Sequence, residues 1–273
     1  MNSYVVRRRL VYLLVLGLLL ASTLILLSLS NLSMPSEVYC TGWGLLAVMG
    51  LLVSYHWRKK LLFLNFGGVR YWLRLHILFG LYGVALFFIH IDFSWPKGLF
   101  NQLIATVFLL EVGSGMVGLY LSRTMPPRMT WLGERLLYEK MPEYYQQLRQ
   151  QAEDLALQAA AEHHTDTLVK FYNRNLQSFL LGAANFWPHV FNSGQVRSRW
   201  ALKFEGLQRY LVEDELPVVT ELRILVFRKI ELDKQYAIQG LLRRWLFLHI
   251  PLAYALFIFV LAHVMVIHSF SGV

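Results

Sequence analysis

Two apolar stretches far apart in the chain carry histidines in matched positions. One holds Leu75-His76 and Ile89-His90, the other Leu248-His249 and Ala262-His263. In each, the two histidines stand 14 positions apart within a run that otherwise reads as membrane-spanning. Fourteen helical steps return to within about 40° of the same face and advance about 21 Å. Each helix therefore holds one histidine toward either side of a hydrocarbon core about 30 Å thick.

Ionisable side chains within a membrane are costly, turn toward the bundle interior and mark functional positions. Neutral imidazole is a good axial ligand for haem iron, so a gap bounded by two imidazoles suits a six-coordinate b-type haem. Two such helices side by side make two gaps, one above the other. The structural alternative is four unrelated histidines, each bonded to a neighbouring carbonyl. The same spacing in two separate helices favours haem.

On His76, His90, His249 and His263 the chain resembles the membrane b-type cytochromes that hold two haems with four histidines on two helices. The cytochrome b of quinol-oxidising complexes and the ferric-reductase/NADPH-oxidase membrane domains share this His-x13-His pattern. The resemblance covers the two histidine helices, and a long insert departs from both groups. It implies electron transfer through stacked haems across a membrane, with donor and acceptor left open.

Other residues around the histidines suit the same chemistry. Gly80, Gly83 and Ala253 leave helix faces without bulk where a flat macrocycle could lie, although small residues also serve ordinary helix packing. Arg70, Arg74, Arg243 and Arg244 cluster at one end of the two histidine helices. Guanidinium groups pair with propionate carboxylates, and they also anchor helix ends at the membrane surface. Glu111 sits mid-span beside Gly113, Ser114, Gly115 and Gly118, a candidate proton acceptor for a quinol or else a structural carboxyl group. His268 falls about 100° off the ligand face and reads as interfacial. His56, adjacent His163 and His164, and His189 after Pro188 show no ligand spacing.

The elements that must position these residues follow from composition. The 273-residue chain is 56% hydrophobic and 15% aromatic, as multi-pass membrane proteins are. Its net charge of +9 lies in blocks beside the apolar runs, which argues for membrane topology and against a nucleic-acid partner. Cys40 is the only cysteine, so this chain alone builds no intrachain disulfide, covalent haem attachment or iron–sulfur cluster. Any haem is held noncovalently.

The predicted fold is all-α, a five-span transmembrane bundle with a helical cytoplasmic insert. Residues 1–123 hold spans one to four, 124–240 the insert and 241–273 span five. The first apolar run, Leu10 to Ser30 after Arg7, Arg8 and Arg9, reads as a retained span. The 31–38 link, the 92–98 link and the C-terminal tail contain only Lys97 among basic residues. The positive-inside rule then puts the N-terminus in the cytoplasm and the C-terminus in the periplasm of a bacterial inner membrane. Spans three and five become parallel, which pairs His76 with His249 and His90 with His263. In the insert, 142–164 and 165–181 read as helix, 182–198 as loop, and 217 onward as a helix running into span five.

These readings point to a diheme cytochrome b subunit that relays electrons between a quinone pool and a redox partner. Its expected neighbours are lipid, quinone or quinol, and an iron–sulfur, flavoprotein or cytochrome c subunit. A metalloreductase subunit and a non-redox membrane anchor are the alternatives.

Overall fold

The computed structural model describes residues 3–29, 34–55, 68–127, 137–163, 167–191, 193–211 and 213–270. His56 and His164 lie outside them, and of Arg70 and His163 only the backbone is described. The described residues are helical, without a strand. Five helices are long and apolar enough to cross a membrane. They are α1 (Ser3–Leu29), α2 (Met34–Ser54), α3 (Val69–His90), α4 (Leu99–Thr124) and the last helix, α10 (Leu216–Phe270). The shorter helices α5 (Met141–His163), α6 (Thr167–Phe171), α7 (Gln177–Leu180), α8 (Phe186–Val190) and α9 (Gln195–Gln208) lie between α4 and α10.

Packing groups the chain into two compact units, Met1–Met116 with Leu248–Val273, and Val117–Phe247. Their limits fall inside α4 and α10, whereas composition divides the chain at 123 and 241. The reason is local. Leu121 and Met125 at the end of α4 pack on Ile238, Leu241, Leu242 and Trp245, so these helix ends share a core with each other.

In the first unit, leucines such as Leu14, Leu18 and Leu26 leave α1 with an exposed apolar surface. Side chains of that kind are stable against lipid and costly against water. Thr23 meets Tyr82 of α3, hydroxyl to hydroxyl, at 2.7 Å. The core is built from Leu45, Val48 and Met49 of α2, Leu86 and Phe87 of α3, Ala105 and Phe108 of α4, and Leu256 of α10. Phe87 stacks on Phe108 with centroids 4.2 Å apart. Between α3 and α4, Asp92 and Phe93 take left-handed φ values of 49° and 50°, and Gly98 reaches φ 88°. That short reversal returns the chain as α4 beside α3.

In the second unit the apolar positions recur at three- and four-residue spacing, as an amphipathic helix requires. Ala152, Ala156 and Ala159 of α5, Val196, Trp200, Phe204 and Leu207 of α9, and Leu222, Val226 and Ile230 of α10 meet in one core. The stretch expected as one helix over 165–181 is α6, a π turn at Tyr172–Leu176 and α7. The stretch expected as loop over 182–198 holds α8 and the start of α9. Pro188 sits in the first turn of α8, where its missing N–H breaks no helical bond. Proline there marks a helix start and not the loop its presence suggested.

Helix α10 is 55 residues long. That is far more than the roughly 20 residues needed to cross a hydrocarbon core about 30 Å thick. Its uncharged part runs from Trp245 to Phe270, and the preceding turns, which carry Lys229, Asp233, Arg243 and Arg244, belong to the second unit.

Candidate functional site

The four histidines belong to the first unit and meet in two tiers. His76 and His249 meet edge-on, with ring centroids 6.4 Å apart and planes at 79°. His90 and His263 line one cavity of about 410 Å³. The pairs are those expected of parallel spans three and five.

Each tier has one imidazole held from behind. His90 Nδ1 lies 3.1 Å from the Val38 carbonyl oxygen and 3.2 Å from Thr41 Oγ1, both on α2. Thr41 is buried, and its hydroxyl also bonds the Glu37 and Val38 carbonyls. A β-carbon at Gly42 would stand 3.0 Å from His90 Cε1, so the backbone of α2 presses directly on the ring. In the other tier, His249 Nδ1 lies 3.1 Å from Glu111 Oε1 and 3.2 Å from Ser114 Oγ. Glu111 and Ser114 are one turn apart on α4, and a β-carbon at Gly115 would reach within 3.9 Å of the same ring.

An imidazole that donates Nδ1–H to a carbonyl or carboxylate keeps a lone pair on Nε2. That tautomer is the usual preparation of a metal-binding histidine. Among the described residues there is no group of three or more His, Cys, Asp or Glu arranged to hold a metal ion. What this chain offers is paired imidazoles across a gap.

The cavity beside His90 and His263 is apolar along most of its wall, with Leu45, Met49, Phe87, Phe108 and Val260. Its volume falls within the range of small-molecule and cofactor pockets, about 300–1,000 Å³. At one end stand Tyr39, Trp43 and His268, with His268 centred 5.8 Å from the Tyr39 ring and 5.9 Å from the Trp43 ring. Aromatic groups of this kind gather at membrane interfaces.

The other sequence candidates fall as follows. Gly80 has nothing within 4 Å of where a β-carbon would stand, whereas Gly83 faces Val48 of α2 at 3.3 Å. Close packing of α2 on α3 explains Gly83. Ala253 and Arg74 are half-buried. Arg243 pairs with Glu139 and lies 4.3 Å from the Tyr138 ring centre, and Arg244 lies 4.8 Å from that of Phe186. Both arginines thus have partners inside the insert.

Sequence reasoning missed Thr41 and the Val38 carbonyl, because no spacing on α2 points to His90. It also left His189 without a role. His189 is only 4% exposed, with Nε2 3.9 Å from Asp233 Oδ2. Asp233 accepts from Lys229 Nζ at 2.6 Å and from the Tyr145 hydroxyl at 2.9 Å, so a buried polar cluster ties α5 and α8 to α10. The signal for it was the Lys229-x3-Asp233 spacing on a helix that is otherwise apolar on that face.

Comparison with known protein families, with curated proteins and with solved structures gives no match to this chain.

Proposed function

We propose that this chain is an integral membrane diheme cytochrome b subunit that relays electrons across the membrane between a quinone pool and a redox partner protein. The observation that carries this reading is the His76–His249 pair. Two imidazoles that bonded one metal through facing nitrogens would have ring centres about 6 Å apart, given a metal–imidazole bond of about 2 Å. The observed 6.4 Å agrees.

The second tier offers a pocket, an apolar cavity that His90 and His263 both line, with Nδ1 of His90 tied to Val38. In both tiers the chain would supply two nitrogen ligands and leave the remaining positions of a metal to a macrocycle, and apolar side chains line the cavity at His90 and His263. Bis-imidazole haem supplies one-electron chemistry with no open iron position, which suits relay and not oxygen binding. His90 and His249 act as pre-oriented ligands, held by α2 and α4 respectively. Of the four candidate arginines, Arg74 is half-buried, and Arg243 and Arg244 are partnered by Glu139, Tyr138 and Phe186.

In the membrane we place the N-terminus in the cytoplasm and the C-terminus in the periplasm, on the distribution of Lys and Arg. The insert then lies on the cytoplasmic side, where a flavoprotein or iron–sulfur subunit would dock; a cytochrome c would serve the periplasmic side. With haem bound at both tiers, the pairs His76–His249 and His90–His263 would supply a path for electrons taken one at a time. The contact between Glu111 and His249 favours holding that imidazole over accepting a quinol proton.

The test is a dithionite-reduced minus oxidised spectrum of the purified protein, with haem per chain determined alongside. Two b-type haems per chain are expected. No b-type absorption change would leave a membrane anchor, and reduction that ignores quinol would favour a metalloreductase subunit.

A further inference from the structure

A second cavity, of about 280 Å³, lies within the second unit, and none of its lining residues enters the proposed relay. Arg199 and Lys203 stand one turn apart on α9 at this cavity, with Asn175, Ser178 and Asn185 beside them. Phe179 and Trp200 form its aromatic wall. No aspartate or glutamate is among these described lining residues.

The two cations also lack a carboxylate partner elsewhere among the described residues. Their neighbour Arg197 on the same helix has one, Glu231 at 3.9 Å, and lies 4.8 Å from the Phe227 ring centre. Arg199 instead donates from Nε to the Gln195 carbonyl at 3.4 Å, a bond that leaves its charge unbalanced. Lys203 is held in place by neutral groups. Its Nζ donates to Asn175 Oδ1 at 3.1 Å and lies 4.6 Å from the Trp200 ring centre. Asn175 Nδ2 in turn donates to the Phe171 carbonyl at 3.4 Å, from within the π turn, a distortion that recurs at functional sites. Asn185 opens α8 in the left-handed region, φ 57°, and its side chain does not cap that helix, the ordinary use of asparagine there.

Two oriented cations with amide and hydroxyl groups around them call for an anion of matching charge. A carboxylate or a phosphodiester brings one negative charge. A phosphate monoester brings about two near neutral pH, on three strong acceptor oxygens. Guanidinium binds such a group through paired hydrogen bonds, and ammonium binds it as a point charge. The volume lies just below the range of small-molecule pockets, about 300–1,000 Å³. It leaves room for a small organic remainder against Phe179 and Trp200.

We propose that this cavity binds the dianionic phosphoryl group of a small solute, with Arg199 and Lys203 as its cationic contacts and Asn175 as the residue that positions Lys203. The proposal stands apart from the diheme reading and holds or fails without it.

The experiment is calorimetric titration of the purified protein in detergent with phenyl phosphate, inorganic phosphate and acetate at one ionic strength. Saturable binding of one phosphate compound per chain is expected, with acetate at least about tenfold weaker. Tighter binding of phenyl phosphate identifies an ester as the ligand, and equal binding identifies free phosphate. Arg199→Gln and Lys203→Met should each weaken binding about tenfold or more, as loss of a charge-assisted hydrogen bond does. Both side chains are exposed, so neither change threatens the fold. Arg197→Gln removes the same charge from the same helix and should leave the affinity unchanged. Lowering the pH from about 7.5 to about 5.5 should weaken binding, because the second phosphate proton returns near pH 6. The proposal is overturned if neither phosphate compound binds saturably, if acetate binds as tightly, or if Arg197→Gln weakens binding as much as Arg199→Gln.

Discussion

The imidazoles of His76 and His249 stand with centres 6.4 Å apart, one on α3 and the other on α10. If the diheme proposal holds, loss of either ring should empty that tier and spare the other. His249→Ala is expected to halve haem per chain, and His76→Ala with His249→Ala together should lose no more than either single change. His263→Ala should halve it too, by emptying the other tier. Haem content by the pyridine haemochrome method checks this, and retention of both haems in His249→Ala or His263→Ala would refute the tier in question.

Gly42 has room for a hydrogen and little else, since a β-carbon would stand 3.0 Å from His90 Cε1. Gly42→Val should displace the imidazole and weaken haem retention in the His90–His263 tier, while the other tier stays loaded. Combining it with His249→Ala isolates the effect, because the double variant then retains little or no haem.

Lys229 and Asp233 form an ion pair one turn apart on α10, with both side chains fully enclosed. Taking away one partner of a buried pair costs about 3–5 kcal/mol, because the remaining charge has no compensation. Asp233→Asn should therefore lower the melting temperature in detergent sharply. Replacing both, Lys229→Met with Asp233→Leu, should restore most of the loss. Equal destabilisation by single and double changes would mean that the charge is not what matters.

Burial, reinforced by Lys229 and Lys234, holds the His189 imidazole down to about 4 from 6.5. The facing carboxylate, Asp233 at 3.9 Å, does not outweigh that burial. The folded protein thus favours the neutral ring, and the unfolded chain takes up the proton first as pH falls. The stabilisation is whole above pH 6.5 and is lost as pH drops toward 4. It amounts to on the order of 3 kcal/mol at the acid end. Melting curves of wild type and His189→Gln between neutral pH and pH 4.5 should show the flatter acid limb in the variant; parallel limbs would acquit His189.

Two glycines of α4 make a sign test. A β-carbon at Gly118 would overlap the Trp245 ring, whereas one at Gly113 meets nothing within 4 Å. Alanine generally favours a helix over glycine by about 1 kcal/mol, and forced overlap in a packed core costs about 1–3 kcal/mol. Gly113→Ala should leave the melting temperature unchanged or raise it, and Gly118→Ala should lower it.

Much of this architecture was legible in the sequence because helices are local objects. Runs of apolar residues mark the five long helices, three- and four-residue spacing marks the faces of α5 and α9, and a shared interval of fourteen marks two histidines on each of two helices. Which side chains meet across helices is decided by rotation and neighbour choice, and these are settled only when every face is packed at once. Glu111 had no sequence feature that points to His249; the two come together because α4 turns Glu111, Ser114 and Gly115 toward α10. Val38 reaches His90 through a backbone carbonyl, a group that every residue carries and no sequence pattern announces. His189 looked incidental beside Pro188 until α8 closed over Asp233. Periodicity therefore determined the helices and the height of each imidazole along them, and tertiary packing alone decided what stands behind each ring.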